Sequence, residues 1–315
     1  MKKIIILICV FFISVSSFAM DSQMQDAVLR EFLWEEFTAK EPPDRVKVGL
    51  TLSAGGTRAF AHVGILEVLL DANMPIDMLT GTSMGSVIGS AYAAGIPVSE
   101  IWKMGDEMTL KTVSSDLSLT GIFRLIVGNQ LPSSQNFEKF LEENLSNKTF
   151  EDLRIPFACP AMDIKTGEKV LFTSGPVALA VRASMNLPGV FEPVEYRQRQ
   201  LVDGGVVDYL PIDAVKDFGA EYVVASLPLQ DHSGVVPKTI AAYLLRIGDI
   251  RGAILTEESI SKANFSIMPK MSNIPVLEFD MLPVAGEMGV VETYKRLPAL
   301  QEDLILFDLR KKYAK

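Results

Sequence analysis

Met78-Leu79-Thr80-Gly81-Thr82-Ser83-Met84-Gly85-Ser86-Val87 sets a serine between two glycines where an apolar run gives way to a small-residue helical stretch. A Gly-x-Ser-x-Gly bend between strand and helix lifts the serine hydroxyl out of the sheet edge and aims it at helix N-terminal amides, the setting a nucleophilic serine requires. Such pentapeptides also occur in ordinary turns, so the flanks decide. Here Met78-Leu79-Thr80 reads as a short strand, and residues 87–94 read as a helix closed by Gly95 and then Pro97.

Working outward, Val46, Val48, Leu50 and Leu52 alternate as a strand. Ser53-Ala54-Gly55-Gly56-Thr57-Arg58 forms a turn, and residues 59–70 carry a buried helical stripe. Downstream, residues 157–161 and 169–173 are short apolar strands joined through Lys165-Thr166-Gly167, the pattern of a hairpin. Leu201-Val202 leads into Asp203-Gly204-Gly205. Residues 212–218 read as a helix stopped by Gly219, and residues 222–227 as a nearly all-apolar strand of the kind buried in a parallel sheet. This alternation predicts an α/β fold, a three-layer α/β/α sandwich with a mainly parallel central sheet. Residues 46–228 form the expected catalytic domain. Residues 229–315 form a C-terminal α/β extension packed on it, with long helices over 239–263 and 287–309 and short strands at 265–267 and 276–279.

The first 19 residues combine Met1-Lys2-Lys3, an apolar run from Ile4 to Val15, and Ser17-Phe18-Ala19, the three regions of a secretory signal peptide. The apolar run is too short to span a bilayer comfortably. Residues 20–45 then form a leader, partly helical in pattern and ending at Pro42-Pro43, and the expected location is periplasmic or secreted. The chain carries a formal charge of −9, and removal of residues 1–19 takes away two lysines and no acid. That acidity disfavours nucleic acid and anionic headgroups as partners held by bulk charge, so lipid contact should be mainly apolar and transient at a membrane surface. With Cys9 in the signal segment, Cys159 stands alone in the remaining chain, and stability must come from a conventional core. Oligomeric state leaves no mark on the sequence.

A nucleophilic serine needs a base, and the chain has two histidines. His62 lies in the helix after the first strand, where a packing or capping role is expected. His232 follows Asp203, so the order Ser83, Asp203, His232 is formally that of an α/β-hydrolase triad. Against this, His232 sits in the polar stretch Gln230-Asp231-His232-Ser233-Gly234, which reads as an exposed loop. Asp203 ends a strand at the same sheet edge as Ser83, and the Gly55-Gly56 bend lies where its amides can serve as an oxyanion hole. The reading favoured is a Ser83–Asp203 dyad. A triad esterase and a non-catalytic lipid-binding protein are the alternatives. The segment with Phe123, Leu125, Ile126 and Val127 reads equally as a core helix or as a mobile lid that meets lipid. The turn at 53–59 has neither a Gly-Lys-Ser/Thr phosphate loop nor a Gly-x-Gly-x-x-Gly dinucleotide motif.

Four motifs in this order, Gly55-Gly56-Thr57-Arg58, the Gly81–Gly85 bend, the run Ala183-Ser184-Met185-Asn186-Leu187-Pro188-Gly189-Val190-Phe191-Glu192-Pro193, and Asp203-Gly204-Gly205, together resemble the bacterial type of patatin-like phospholipase. The resemblance implies a lipid acyl hydrolase without metal or cofactor, with Ser83 as nucleophile, Asp203 as general base and a lipid or acyl ester as substrate. Thr57 and Arg58 are implied in substrate binding or loop support. Where the family's turn usually reads Gly-Gly-Gly-x-Arg-Gly, this chain has Ala54 and Ala59 in place of the first and last glycines. Alanine keeps its amide, so the donors persist if φ at both positions is negative, and a positive φ would strain the turn.

Overall fold

The computed structural model describes residues 22–108, 131, 133–230, 240–271 and 274–313. Residues 1–19, where a signal peptide is expected, the stretch around Phe123 and the segment with His232 lie outside the described residues. The described residues up to 40 form one compact unit and those from 41 on form another. The first contains helix α1 (Ser22–Thr38), in which Trp34 and Phe37 stack with ring centroids 5.6 Å apart.

The second unit is built on a mostly parallel sheet. Its centre is β1 (Val48–Leu52), flanked by β2 (Met78–Gly81) and β7 (Tyr222–Ser226), every residue of the three strands being buried. Beyond β2 lies β3 (Phe157–Asp163), and beyond β7 lies β8 (Phe265–Ile267), all five strands running parallel. Antiparallel strands finish the far side: β4 (Lys169–Phe172) and β6 (Arg199–Asp203) pair with β3, and β5 (Val194–Tyr196) pairs with β6. The β3–β4 hairpin is the one expected from Lys165-Thr166-Gly167.

Register explains the layers. Gly49 lies beside Met78 and Val223, and Thr51 beside Thr80 and Ala225, so these residues share one face. Helix α7 (Ile212–Asp217) covers that face, with Ile212 and Val215 packed on Met78, Val223 and Ala225. A Cβ at residue 49 would lie 2.6 Å from Val215, which is why a glycine stands there. The other face presents Leu50, Leu52 and Leu79. There α3 (Met84–Ala93) approaches through Gly89, where an added Cβ would meet Phe157 at 2.9 Å and Leu79 at 3.1 Å. Helices on both faces complete the expected α/β/α sandwich.

Beyond α3 the chain forms α4 (Val98–Glu107), α5 (Gln135–Asn144) and α6 (Val177–Ser184). Helix α2 (Ala61–Asp71) packs against α9 (Leu282–Tyr313) backbone to backbone: a Cβ on Gly64 would stand 2.0 Å from the Gly286 carbonyl, and one on Gly289 would stand 2.1 Å from that of Ala61. Between them in sequence runs α8 (Ile240–Ile260).

Two expectations are corrected. Residues 276–279 are not a strand but a turn leading into the 3-10 turn Phe279–Met281. The Val276 carbonyl, which a strand would spend on a ladder, accepts instead from the Thr57 amide at 2.9 Å. Helix α3 begins at Met84, earlier than the apolar pattern from Val87 suggests, because Ser83 itself ends the strand-to-helix bend.

Candidate active site

The bend after β2 is tightly packed. A Cβ at residue 81 would fall 2.3 Å from the Gly85 carbonyl, and one at residue 85 would fall 2.5 Å from that of Ser53, so neither position tolerates a side chain. Between them Ser83 has φ 53° and ψ −125°, a backbone conformation unusual for a residue other than glycine. Such a conformation costs of the order of 1–3 kcal/mol and persists only where surrounding structure enforces it. Enforcement comes from the α3 turn, from the Ser184 hydroxyl accepting the Ser83 amide at 3.1 Å, and from the Ser86 hydroxyl donating to the Ser83 carbonyl at 2.6 Å.

The Ser83 hydroxyl donates to Asp203 Oδ2 at 2.7 Å. The other oxygen of Asp203 accepts the Gly205 amide at 2.7 Å, and the Asp203 amide donates to the Asn186 carbonyl at 2.9 Å. Asp203 ends β6 and caps the 3-10 turn Gly204–Val206. Only 3 % of its surface is exposed. Burial pushes its carboxyl up to about 6, and the bonds from Ser83 and Gly205 hold it from rising further.

Opposite lies the glycine bend. Gly55 has φ 150° and Gly56 φ 55°, while Ala54 and Ala59 are absent from the positive-φ positions, so alanine sits at both without strain. The Ala54 amide is spent on the Tyr209 carbonyl at 2.9 Å, whereas the amides of Gly55 and Gly56 have no partner among the described residues. Thr57 is buried, and its amide donates to the Val276 carbonyl. Arg58 is 2 % exposed, donates from Nε to the Gly55 carbonyl at 3.4 Å, and forms a 2.7 Å ion pair with Asp249 of α8. The Arg58 side chain therefore braces the loop, whereas the buried Thr57 hydroxyl has no hydrogen-bond partner among the described residues; neither side chain lines the cavity among the described residues.

That cavity, of about 380 Å³, has Ser83, Asp203, Gly55 and Gly56 in its wall and is otherwise mainly apolar, with Leu187, Pro188, Leu244, Ile247 and Val276. The run at 183–193 thus has two duties: Ser184 and Asn186 brace Ser83 and Asp203, while Leu187 and Pro188 form wall. Ser184, Tyr209, Asp249 and Val276 are neighbours of the site that no sequence motif marks as such: Ser184 and Val276 lie inside segments with a sequence signal, but only tertiary contact reveals their partners.

His62 is placed in the structural role expected of it, bonded to neither Ser83 nor Asp203. It is fully buried, its Nε2 faces the Ser53 carbonyl at 2.9 Å and its Nδ1 faces the Ser226 hydroxyl at 2.5 Å. A carbonyl can only accept, so Nε2 carries the proton and Nδ1 accepts from Ser226. Desolvation lowers its pKa to about 4, which keeps the ring neutral. It ties the ends of β1 and β7 together beneath the glycine bend.

The profile described as "Patatin-like phospholipase" matches residues 50–216. An uncharacterised NTE family protein of Mycobacterium tuberculosis is 32 % identical over 186 residues, 57 % of this chain and 48 % of that protein. The lysophospholipase nte1 of Aspergillus fumigatus is 30 % identical over 192 residues, 56 % of this chain and 12 % of that protein. This chain therefore spans about half the length of the first relative and a small part of the second. Among solved structures, VipD from Legionella pneumophila superposes with a TM-score of 0.51 at 13 % identity, over 82 % of this chain and 67 % of that one. The ExoU–SpcU complex of Pseudomonas aeruginosa gives 0.50 at 15 % identity, over 83 % and 52 %. At such identities the likeness concerns the fold alone. With the profile covering more than half the chain, from β1 to α7, and the serine bend and Asp203 both inside the match, this chain belongs to the patatin-like phospholipase family.

Proposed function

We propose that this protein is an exported lipid acyl hydrolase of the phospholipase A or lysophospholipase type, using Ser83 as nucleophile and Asp203 as its base. The observation that carries the reading is the 2.7 Å hydrogen bond from the Ser83 hydroxyl to Asp203, inside an apolar cavity also walled by Gly55 and Gly56. As the hydroxyl oxygen attacks the ester carbonyl carbon, its proton passes to Asp203 Oδ2. The carbonyl oxygen becomes an oxyanion held by the amides of Gly55 and Gly56, a contribution of about 3 kcal/mol per donor in comparable sites. Collapse expels the alcohol, which takes the proton from Asp203. Water then attacks the acyl-enzyme, Asp203 takes up its proton, and the fatty acid leaves with Ser83 restored.

An aspartate of ordinary acidity is a weak base, and burial of Asp203 makes its carboxylate more basic while leaving it ionised above about pH 6. The apolar wall suits an acyl chain. Export is supported by the charged, apolar and small-residue order of residues 1–19; protein recovered outside the cytoplasm with its N-terminus near Met20 would bear this out.

The experiment is hydrolysis of a phospholipid and lysophospholipid panel by the protein and its Ser83→Ala variant, with fluorophosphonate labelling read by mass spectrometry. Activity should fall on the order of 10⁴-fold in Ser83→Ala, and the label should sit on Ser83. An unlabelled Ser83 in folded protein would instead favour a lipid-binding role. His232→Ala should retain turnover; a large loss would replace the dyad by a triad.

A further inference from the structure

Helix α8 has two faces of opposite character. On the inner one, Asp249 pairs with Arg58, Gly252 lies where a Cβ would come 2.4 Å from the Tyr209 ring, and Thr256 is buried. At 100° of rotation per residue these three fall on one side of the helix. On the side directly opposite stand Tyr243, Ile247, Ile250 and Ile254, spaced by four, three and four residues, and all exposed, Ile254 to 61 %. Leu244, 49 % exposed, adjoins this stripe. It reaches the bend after α6, where its Cδ1 is 3.3 Å from the position of a Cβ on Gly189.

Leu244 and Ile247 also form part of the cavity that holds Ser83 and Asp203. The exposed stripe is therefore continuous with the wall of the site. Apolar side chains are exposed on α9 too, at Val284, Val291 and Tyr294, but these do not line the cavity.

We propose that the outer face of α8 is the surface on which the protein seats itself on a zwitterionic lipid aggregate, with acyl chains entering the cavity past Leu244 and Ile247. The inference rests on the lipid acyl hydrolase reading and names the surface that serves it. Four large apolar side chains along about 16 Å of helix form a patch of the kind that marks interaction sites. Tyr243 adds an amphipathic ring suited to the headgroup boundary. The net charge of −9 disfavours an anionic surface, and the four stripe side chains carry no charge, with Arg246 and Arg251 flanking them on either side. A second copy of the chain bound to this stripe would cover Leu244 and Ile247 and obstruct the cavity, whereas a lipid surface delivers substrate to it.

Ile250→Asp/Ile254→Asp tests the assignment, because neither residue lines the cavity. Flotation with vesicles of diether phosphatidylcholine, which cannot be hydrolysed, should show the wild-type protein bound and the double variant bound at least tenfold more weakly. Cleavage of soluble p-nitrophenyl butyrate should stay within twofold, which also establishes that the variant folds; Ile254→Ser, a milder change, should give a smaller loss of flotation in the same direction. Equal flotation of wild type and double variant, wild type that does not float, or a wild-type dimer in sedimentation that the double variant abolishes would each overturn the proposal. Wild type that floats but leaves the soluble ester and the lipid panel uncleaved would sink the hydrolase reading and leave the docking face standing.

Discussion

The bend around Ser83 is folded mainly by its own neighbours, with one distant brace at Ser184, whereas the Gly55-Gly56 bend is held by residues far away in the chain. At the first, Gly81 abuts the Gly85 carbonyl, the Gly85 amide donates to Thr82 at 2.9 Å, and α3 follows at once. At the second, the anchors are Tyr209 for Ala54, Asp249 for Arg58, and Val276 for Gly56 and Thr57. A pentapeptide can specify the position of a hydroxyl. The position of two amides, when they belong to a turn with little hydrogen bonding of its own, depends on the whole fold. Damage to the glycine bend can accordingly be inflicted from a distance as well as from within, whereas the serine bend should be damaged chiefly from within.

The sharpest way to break the glycine bend directly is Gly56→Ala. The residue has φ 55°, and its added Cβ would lie 2.3 Å from the Val276 carbonyl, so the bend must move and carry its amides with it. Loss of one oxyanion donor predicts a fall in kcat of about 10²–10³-fold with KM little changed. Far-ultraviolet circular dichroism should stay that of the wild type, since the β1–β7 core is untouched. Wild-type turnover in this variant would remove Gly56 from the oxyanion site.

A smaller effect is expected from the remote anchor. Asp249→Asn leaves Arg58 buried without its counter-charge, although Nη1 of that arginine already lacks a hydrogen-bond partner among the described residues. Breaking a buried pair from one side costs about 3 kcal/mol, which corresponds to a Tm lower by roughly 6–12 °C. Arg58 also holds the Gly55 carbonyl, so kcat should drop about tenfold while KM for a soluble ester stays near the wild-type value, and Asp249→Glu should recover part of both. A stability loss with unchanged kcat would make Asp249 a purely structural partner.

The same contrast explains what the sequence discloses. Strand β1 is legible from the alternation of Val46, Val48, Leu50 and Leu52, β2 and β7 because buried parallel strands read as apolar runs, and the β3–β4 hairpin because Lys165-Thr166-Gly167 has turn chemistry. Ser83 and Asp203 are legible because glycines mark the places where backbone must approach backbone. Asp249 is not, being one charged residue on a long helix whose partner is 191 positions away. Val276 misleads outright: in an apolar run it resembles a strand residue, yet its carbonyl braces a turn. Nor does periodicity alone separate the two sides of α8, since apolar residues occur on both and only contact tells which is covered.

Two buried titrating groups, one in each region, allow the comparison to be sharpened by pH. Asp203, beside the serine bend, has its pKa raised from 3.8 to about 6, so the folded state binds more protons than the unfolded state in between. Its contribution is fully present below pH 3.8 and is lost as pH rises through 6, amounting to about 3 kcal/mol. His62, beneath the glycine bend, has its pKa lowered from 6.5 to about 4, so its contribution is present above pH 6.5 and is lost as pH falls through 4, again about 3 kcal/mol. Between pH 4 and 6 the two slopes oppose each other, and the wild-type protein should show little dependence from this pair. Asp203→Asn removes one side of the balance. Its unfolding free energy, followed by urea titration, should rise with pH from 4 to 6.5 and exceed that of the wild type above pH 7, even though its turnover is lost. In the active protein, kcat/KM should climb through about pH 6 and then level off, as the carboxylate form of Asp203 becomes complete. A wild-type rate that falls across that interval would mean that the protonated acid, not the base, does the work at Ser83.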